Sequence, residues 1–385
     1  MAEVLGIGPM VEETYDRVRR AYGWELGRHR RDLVTPALVL DLTIARRNIA
    51  RMAERISAVD AGLRPHVKVH KSPEIARMQV EAGAIGISTA TVWEAMVMVH
   101  AGLDGVFVVN TVAGPDKLAA LATLARDANV MVAVDDPGNA AALAAAARAA
   151  GSTLGVLIEV DTGMDRSGVD SIEEAVRLAD RISHLEGLRP LGVTGYEGHC
   201  SLTPDDELRQ ERQQAAMRFL VDTAHAIRAA ELPCEIVSAG GTATWDWTAA
   251  YPGVTEIQAG SYVVMDNFHG AMVSDFEHAL TVVSTVISRR PDRVIVDAGS
   301  KSIAAPSLAS MLDHDLEVMR FDEEHGIFIA TPGVGLAVGS VVELIPGYAP
   351  STANWYDAFH VVEDDRVVDI WPVIPRGPGH GGLLQ

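Results

Sequence analysis

The chain has 385 residues, 48% of them hydrophobic and 22% charged, a composition that supports a folded core and argues against wholesale disorder. Its 32 lysines and arginines stand against 52 aspartates and glutamates, a net charge of -20 that argues against a nucleic-acid or anionic-membrane surface. With two cysteines, Cys200 and Cys234, neither a disulfide framework nor a four-thiolate zinc site can be built, and a reducing cytoplasm is the expected setting.

Residues 1–34 read as a helical arm. Glu3, Glu12, Glu13 and Asp16 interrupt any apolar run, so neither a signal peptide nor a membrane anchor is expected. Tyr15, Val18, Tyr22 and Trp24 supply a packing stripe, for the chain's own domain or for a second subunit. Residues 36–41 are strand-like, and Asp41 to Thr43 are good N-caps for the next helix. From about residue 64, short β-branched runs alternate with alanine-rich helical stretches such as 139–150 and 207–230. The runs are 66–69, 85–88, 106–109, 130–134, 155–160, 192–195, 235–238 and 256–258, which predict a (β/α)8 TIM-like barrel spanning 35–270. After Asp266 the texture changes to strand-like runs at 280–288, 293–297, 340–344, 358–362 and 366–370, so an all-β domain is expected over 271–375. The early strand at 36–41 can pair with this C-terminal domain. The glycine-rich segment 376–385 is expected to be a flexible tail.

Catalytic groups of such barrels sit at the C-terminal ends of the strands. In Arg64-Pro65-His66-Val67-Lys68-Val69-His70-Lys71, strand alternation puts Lys68 on the same face as His66 and His70. A lysine inside a barrel is a desolvated amine, suited to forming an imine, as pyridoxal phosphate chemistry requires; otherwise it pairs with a barrel carboxylate. The segment alone leaves both open. The turns after the seventh and eighth strands, Ser238-Ala239-Gly240-Gly241-Thr242 and Gln258-Ala259-Gly260-Ser261-Tyr262, offer unobstructed N–H groups and hydroxyls where barrels commonly hold a phosphate. The loop after the fifth strand can aim Arg166 at a cofactor's phenolic oxygen, or pair it with Asp161 or Asp165. After the sixth strand, Tyr196, Glu197, His199 and Cys200 bring an aromatic ring and a proton-transfer group to the same rim. Glu197, His199 and Cys200 could bind a metal but lack a fourth ligand at suitable spacing.

These motifs resemble fold-type III pyridoxal phosphate enzymes. Asp161-Thr162-Gly163-Met164-Asp165-Arg166-Ser167-Gly168 is similar to a loop of alanine racemases. The segments 64–71, 238–242 and 258–262 resemble more specifically the D-threonine aldolase, D-serine dehydratase and 3-hydroxyaspartate aldolase group, in which an alanine-racemase-type barrel precedes a β domain. The similarity runs from about Thr35 to Gly379 and includes Val296-Asp297-Ala298-Gly299, Glu323-Glu324-His325-Gly326 and Val367-Val368-Asp369-Ile370-Trp371-Pro372. It implies that Lys68 is the Schiff-base lysine, and that Gly240, Gly241, Thr242, Gly260 and Ser261 form the phosphate cup. Arg166 would face the phenolic oxygen, with Tyr196 beside the ring. Gln258 stands where alanine racemases have an arginine near the pyridine nitrogen, and a neutral group there implies an unprotonated nitrogen and a weaker electron sink.

There is one departure from the group. Its metal-binding segment, of the type Pro-Gly-His-Cys-Asp-Pro-Thr, is met here by Pro346-Gly347-Tyr348-Ala349-Pro350-Ser351-Thr352. Tyr348 and Pro350 fall at the two ligand positions and cannot replace an imidazole and carboxylate pair, so no divalent metal is expected. Tyr348 either serves as an acid/base or fills the volume of the missing ligand. The resemblance implies a lyase of aldolase or dehydratase type acting on a D-amino acid, β-hydroxylated by expectation. The alternatives are an amino-acid racemase, with Tyr348 or His199 as the second acid/base, a pyridoxal phosphate-binding protein without turnover, and a phosphate-binding barrel that uses no pyridoxal. A cytoplasmic homodimer with a small amino-acid substrate, and with no nucleic acid or membrane partner, completes the expectation.

Overall fold

In the computed structural model, which describes residues 7–331 and 333–377, the arm contains helix α1 (Ile7–Tyr22). Val11 and Val18, two turns apart, are buried, and Tyr15 between them donates its hydroxyl to Glu74 Oε1 at 2.5 Å. The arm therefore packs on the chain's own barrel. Most of the expected tail, residues 378–385, lies outside the described residues. No described helix is long and apolar enough to cross a membrane.

The chain enters on β1 (Ala37–Asp41), whose last residue caps the next helix by accepting the Ile44 N–H at 3.0 Å. Then β2 (Gly62–Leu63), β3 (Ile87–Thr89), β4 (Val106–Thr111), β5 (Val130–Val134), β6 (Leu154–Glu159), β7 (Leu188–Thr194), β8 (Ile236–Ala239) and β9 (Glu256–Ile257) form an eight-stranded parallel sheet in the order β2-β9-β8-β7-β6-β5-β4-β3. Its two ends are joined by the Ile85 N–H to Leu63 O at 2.8 Å, the Ser88 N–H to Pro65 O at 2.9 Å and a parallel bridge between His66 and Ser88. The sheet is thus a closed barrel. Inside it Phe107, Met131, Ala133, Leu157 and Leu191 form an apolar plug, while alternate residues such as Val106, Val108, Val132 and Val156 pack in the larger core outside. Burial on both faces explains why these strands read as continuous apolar runs.

The expected first strand is corrected. The paired segment is Gly62–Leu63, and Val67–Val69 is a 3-10 turn at its C-terminal end. Pro65 has no N–H to give to a ladder, and His66 Nδ1 accepts the Lys68 N–H at 3.3 Å, offering the backbone a local partner instead. Period-two alternation does not apply in such a turn. Lys68 is carried by the turn at the barrel mouth, not by the barrel wall.

The β domain comprises β10 (Leu280–Arg290), β11 (Arg293–Val296), β12 (Ser310–Met311), β13 (Val318–Phe321), β14 (Gly326–Ile329), β15 (Val341–Ile345), β16 (Ala358–Glu363) and β17 (Arg366–Pro372). Together with β1 they make a nine-stranded mixed sheet. β1 is central, antiparallel to β10 and parallel to β16, so Ala37 to Leu40 are all buried. A short helix, Ala349–Trp355, comes after β15 with Pro350 in its first turn, where a missing N–H leaves no bond unmade. It delivers Tyr348, at its N-terminal boundary, to the barrel mouth.

Candidate active site

The strand ends surround a cavity of about 210 Å³ lined by Lys68, Arg166, Tyr196, Gly240, Gly241, Thr242, Gln258, Gly260, Ser261 and Tyr348. His199 is the expected site residue that does not line it. The chain turns into a 3-10 helix at Gly198–Leu202, which packs the His199 ring against Gly163 and places Nε2 3.7 Å from Cys200 Sγ.

Lys68 is half-buried and contributes to the cavity lining. Removal from bulk water lowers its pKa below the usual lysine value; Glu94 opposes that shift and Arg166 adds to it. The lysine and carboxylate pair that the sequence left open is made by its neighbour: Lys71 Nζ lies 2.9 Å from Glu94 and donates to Pro375 O at 2.9 Å. Lys68 Nζ sits 5.7 Å from the Tyr196 ring centroid, and Arg166 Cζ sits 5.8 Å from it. Burial, with Glu197 next, pushes the Tyr196 phenol up to about 12, so it remains protonated at neutral pH. Arg166 pairs with neither Asp161 nor Asp165; its closest carboxylate is Glu159, at 3.8 Å. Asp161 Oδ1 is occupied by the N–H groups of Gly163, Met164 and Asp165 at 2.9, 2.8 and 3.1 Å.

The two glycine turns form one cradle. Thr242 Oγ1 accepts the Tyr262 N–H at 3.1 Å, tying one turn to the other. A Cβ at Gly260 would stand 2.5 Å from His66 O, so only glycine lets this turn approach the lysine turn so closely. Gly240 adopts φ of 87°, and its N–H goes to Glu197 Oε2 at 3.1 Å, so it shapes the turn while its amide is already engaged. Glu197 is buried, and its Oε1 accepts the hydroxyls of Thr244 and Thr248, each at 2.7 Å. A carboxylate engaged in this way organises the cradle and is not poised as a metal ligand.

Gln258 is held in a fixed orientation. Arg64 pairs with Glu256 through two bonds of 2.9 and 2.8 Å, and Ser238 gives its hydroxyl proton to Glu256 Oε1 at 2.8 Å. Ser238 Oγ must then accept, and it does so from Gln258 Nε2 at 2.8 Å, while Nε2 also meets Thr194 Oγ1 at 3.1 Å. The amide's carbonyl oxygen is left as its free end.

Sequence reasoning missed other groups that line the cavity, among them His66, Glu159, Thr194 and His269. Glu159 closes β6, and its Oε2 is buried without a partner among the described residues. His269 lies 2.7 Å through Nδ1 from Asp266 Oδ1, an Asp-x-x-His spacing just after the second cradle turn that could have been noticed. Among the described residues no three His, Cys, Asp or Glu side chains cluster as a metal site.

Comparison with known proteins agrees with this architecture. Residues 40–268 match the alanine racemase N-terminal domain, and 279–362 match a putative serine dehydratase domain. The chain is 38% identical to a D-threonine aldolase of an Arthrobacter species, over 89% of this chain and 93% of that one. It is 32% identical to the D-threo-3-hydroxyaspartate dehydratase of a Delftia species, over 88% and 97%. The crystal structure of a D-threonine aldolase from Filomicrobium marinum superposes with a TM-score of 0.88 at 36% identity, covering 91% of this chain and 98% of that one. The chain belongs to the family of pyridoxal phosphate-dependent lyases built on an alanine-racemase-type barrel and a serine-dehydratase-type β domain, together with D-threonine aldolase and D-threo-3-hydroxyaspartate dehydratase.

Proposed function

We propose that the chain cleaves a D-β-hydroxy-α-amino acid to glycine and an aldehyde, a retro-aldol reaction, using pyridoxal phosphate and no protein-bound divalent ion. The main support is Lys68, an amine of lowered pKa on a turn that only a glycine at residue 260 lets pack so closely against the cradle. These residues fit the cofactor's aldehyde at one end and its phosphate at the other. When bound, pyridoxal phosphate supplies an aldehyde for the substrate amine and a conjugated ring that draws electron density from the α-carbon. Lys68 would hold the aldehyde carbon and, once displaced by the substrate amine, be free to move a proton at the α-carbon. The amides of Gly241, Thr242, Gly260 and Ser261 would hold the phosphate, Arg166 the phenolic oxygen, and Tyr196 the ring's position. Cleavage is favoured over dehydration because the D-threonine aldolases are similar at 38% identity in sequence and at a TM-score of 0.88 in structure. Absorbance of the bound cofactor should shift with D-β-hydroxy amino acids and not with their L-isomers. Equal shifts with both isomers would favour racemisation, and no shift with any amino acid would favour a carrier.

Gln258 changes one expectation of the resemblance. If it meets the ring nitrogen, it does so with a carbonyl oxygen, which can bond only a protonated nitrogen. The electron sink is then stronger than a neutral group alone implied. Nitrogen-15 labelled cofactor should show the shift of a protonated ring nitrogen in the wild type, and loss of that signal in Ser238→Ala would trace it to the network. An unprotonated shift in the wild type would contradict this role of Gln258.

The metal-free part rests on the donor set. Pro350 has no donor side chain, and burial, with Asp266 next, raises the Tyr348 phenol above its usual value, away from the phenolate a metal prefers. Turnover is expected to be unchanged by chelation, with no stoichiometric zinc or manganese on elemental analysis. One bound ion per chain with chelator-sensitive turnover would contradict this.

Glu197→Gln tests the cradle. An amide in place of the carboxylate has one acceptor oxygen for three donors, so the Gly240 turn should loosen and cofactor retention should fall by about tenfold. Equilibrium dialysis with pyridoxal phosphate would check it, and wild-type retention would exclude the role. A homodimer is the proposed assembly, to be checked by light scattering.

A further inference from the structure

A second ionisable cluster reaches the cavity from neither the lysine turn nor the cradle. After β9 the chain makes a 3-10 turn, Ser261–Val263, and then a four-residue helix, Asn267–Gly270, capped by Asp266. Asp266 is fully buried and both its oxygens are engaged. Oδ1 accepts the His269 backbone N–H at 2.8 Å and lies 2.7 Å from His269 Nδ1, while Oδ2 accepts the Ala349 N–H at 2.7 Å. A carboxylate at that distance keeps the proton of a neutral imidazole on Nδ1 and leaves Nε2 as a lone-pair acceptor. His269 lines the cavity, and its Nε2 has no hydrogen-bond partner among the described residues.

Tyr348 is fixed beside it. The Asn267 N–H bonds Pro346 O and the Phe268 N–H bonds Gly347 O, each at 3.1 Å, so the barrel's exit turn and the β-domain loop are held together. The His269 and Tyr348 rings lie 19° from parallel with centroids 6.1 Å apart, and Phe268 packs edge-on against both. An imidazole aimed by a buried carboxylate, next to a phenol, therefore faces the cavity where the family's metal-binding loop comes in.

We propose that His269, positioned by Asp266, is the base that takes the proton of the substrate's β-hydroxyl, with Tyr348 donating a hydrogen bond to the same oxygen. This rests on the retro-aldol reading. As Nε2 takes the proton, the O–H pair becomes the second C–O bond of the aldehyde. The Cα–Cβ bond breaks, and its pair stays on the α-carbon. The α-carbon then takes one proton, His269 returns one to solvent, and glycine and the aldehyde leave with no change in oxidation state overall. The raised pKa of the Tyr348 phenol keeps it a donor, which assigns the base to the imidazole.

The test uses holoenzyme and two readouts: cleavage of D-threonine, and exchange of the glycine α-proton with deuterium measured by NMR. Exchange needs the cofactor and Lys68 but involves no β-hydroxyl. In His269→Gln and His269→Gly, cleavage is expected to fall by about 10²-fold or more, with exchange kept within about threefold. Added imidazole should restore part of the cleavage in His269→Gly, which a merely structural role would not allow. Asp266→Asn should lower cleavage by at least about tenfold and spare exchange, because the imidazole loses its fixed tautomer. Cleavage unchanged in His269→Gln overturns the proposal, and so does a parallel loss of cleavage and exchange, which would reduce His269 to support of the site. A wild type that exchanges glycine but cleaves no D-β-hydroxy amino acid would sink the retro-aldol reading itself, and this assignment with it.

Discussion

Lys68→Ala is expected to purify without covalently held pyridoxal phosphate and to lose turnover by about 10³-fold or more, because the amine proposed to form the imine is gone. In the wild type, borohydride should fix the cofactor on the peptide carrying Lys68. Lys71 is the control: its ammonium is already paired with the buried Glu94, so Lys71→Met should keep the label on Lys68 while costing stability through the stranded carboxylate. The lowered pKa of Lys68 has a defined sign. At a given pH below the ordinary lysine value a larger fraction of this amine is neutral, so apo-protein should take up the aldehyde faster than free lysine does. A label on Lys71, or an uptake profile equal to that of free lysine, would count against the assignment.

Glu256→Gln should destabilise the fold by about 3–5 kcal/mol, the usual consequence of leaving a buried cation without its counter-charge. Arg64 and Glu256 have side chains only 7% and 3% exposed, and Arg64 also donates to Gly105 O at 2.5 Å. The pair joins β9 to the segment after β2, next to the place where the barrel closes. Denaturant unfolding measures the loss. The double variant Arg64→Met with Glu256→Leu should recover most of it, since no charge is then stranded. A loss below about 1 kcal/mol in Glu256→Gln would mean that the arginine finds other partners or water. Ser238→Ala leaves the ion pair in place and should affect Gln258 far more than stability, which separates the structural end of this network from its end at the cavity.

Most barrel strands were legible because each is buried on both faces and so is written as a β-branched apolar run, as in Val130–Val134. The first strand was not. Gly62–Leu63 is too short to show a period, and the alternation in 66–69 belongs to a 3-10 turn set up by Pro65 and His66. β13 escaped because it is itself the edge of its sheet, where Met319 and Arg320 are exposed, Val318 and Phe321 are only half-buried, and no apolar period survives. In the site, the lysine and glycine turns carry their own chemistry in one contiguous stretch each. The Asp266, His269 and Tyr348 cluster does not: Tyr348 lies about 80 residues beyond the Asp266 and His269 pair and meets it only because the loop after β15 bonds to the exit turn of the barrel. His199 illustrates the converse, a residue of suitable chemistry at the right strand end that a tight turn directs away from the cavity.

The central claim is most directly tested by identifying the products of the chelated holoenzyme with D-threonine. Glycine and acetaldehyde in equal amounts, with none from L-threonine, are predicted. A 2-oxoacid with ammonia, an L-amino acid, or activity that appears only when a divalent ion is restored would contradict a metal-independent retro-aldol cleavage at this site.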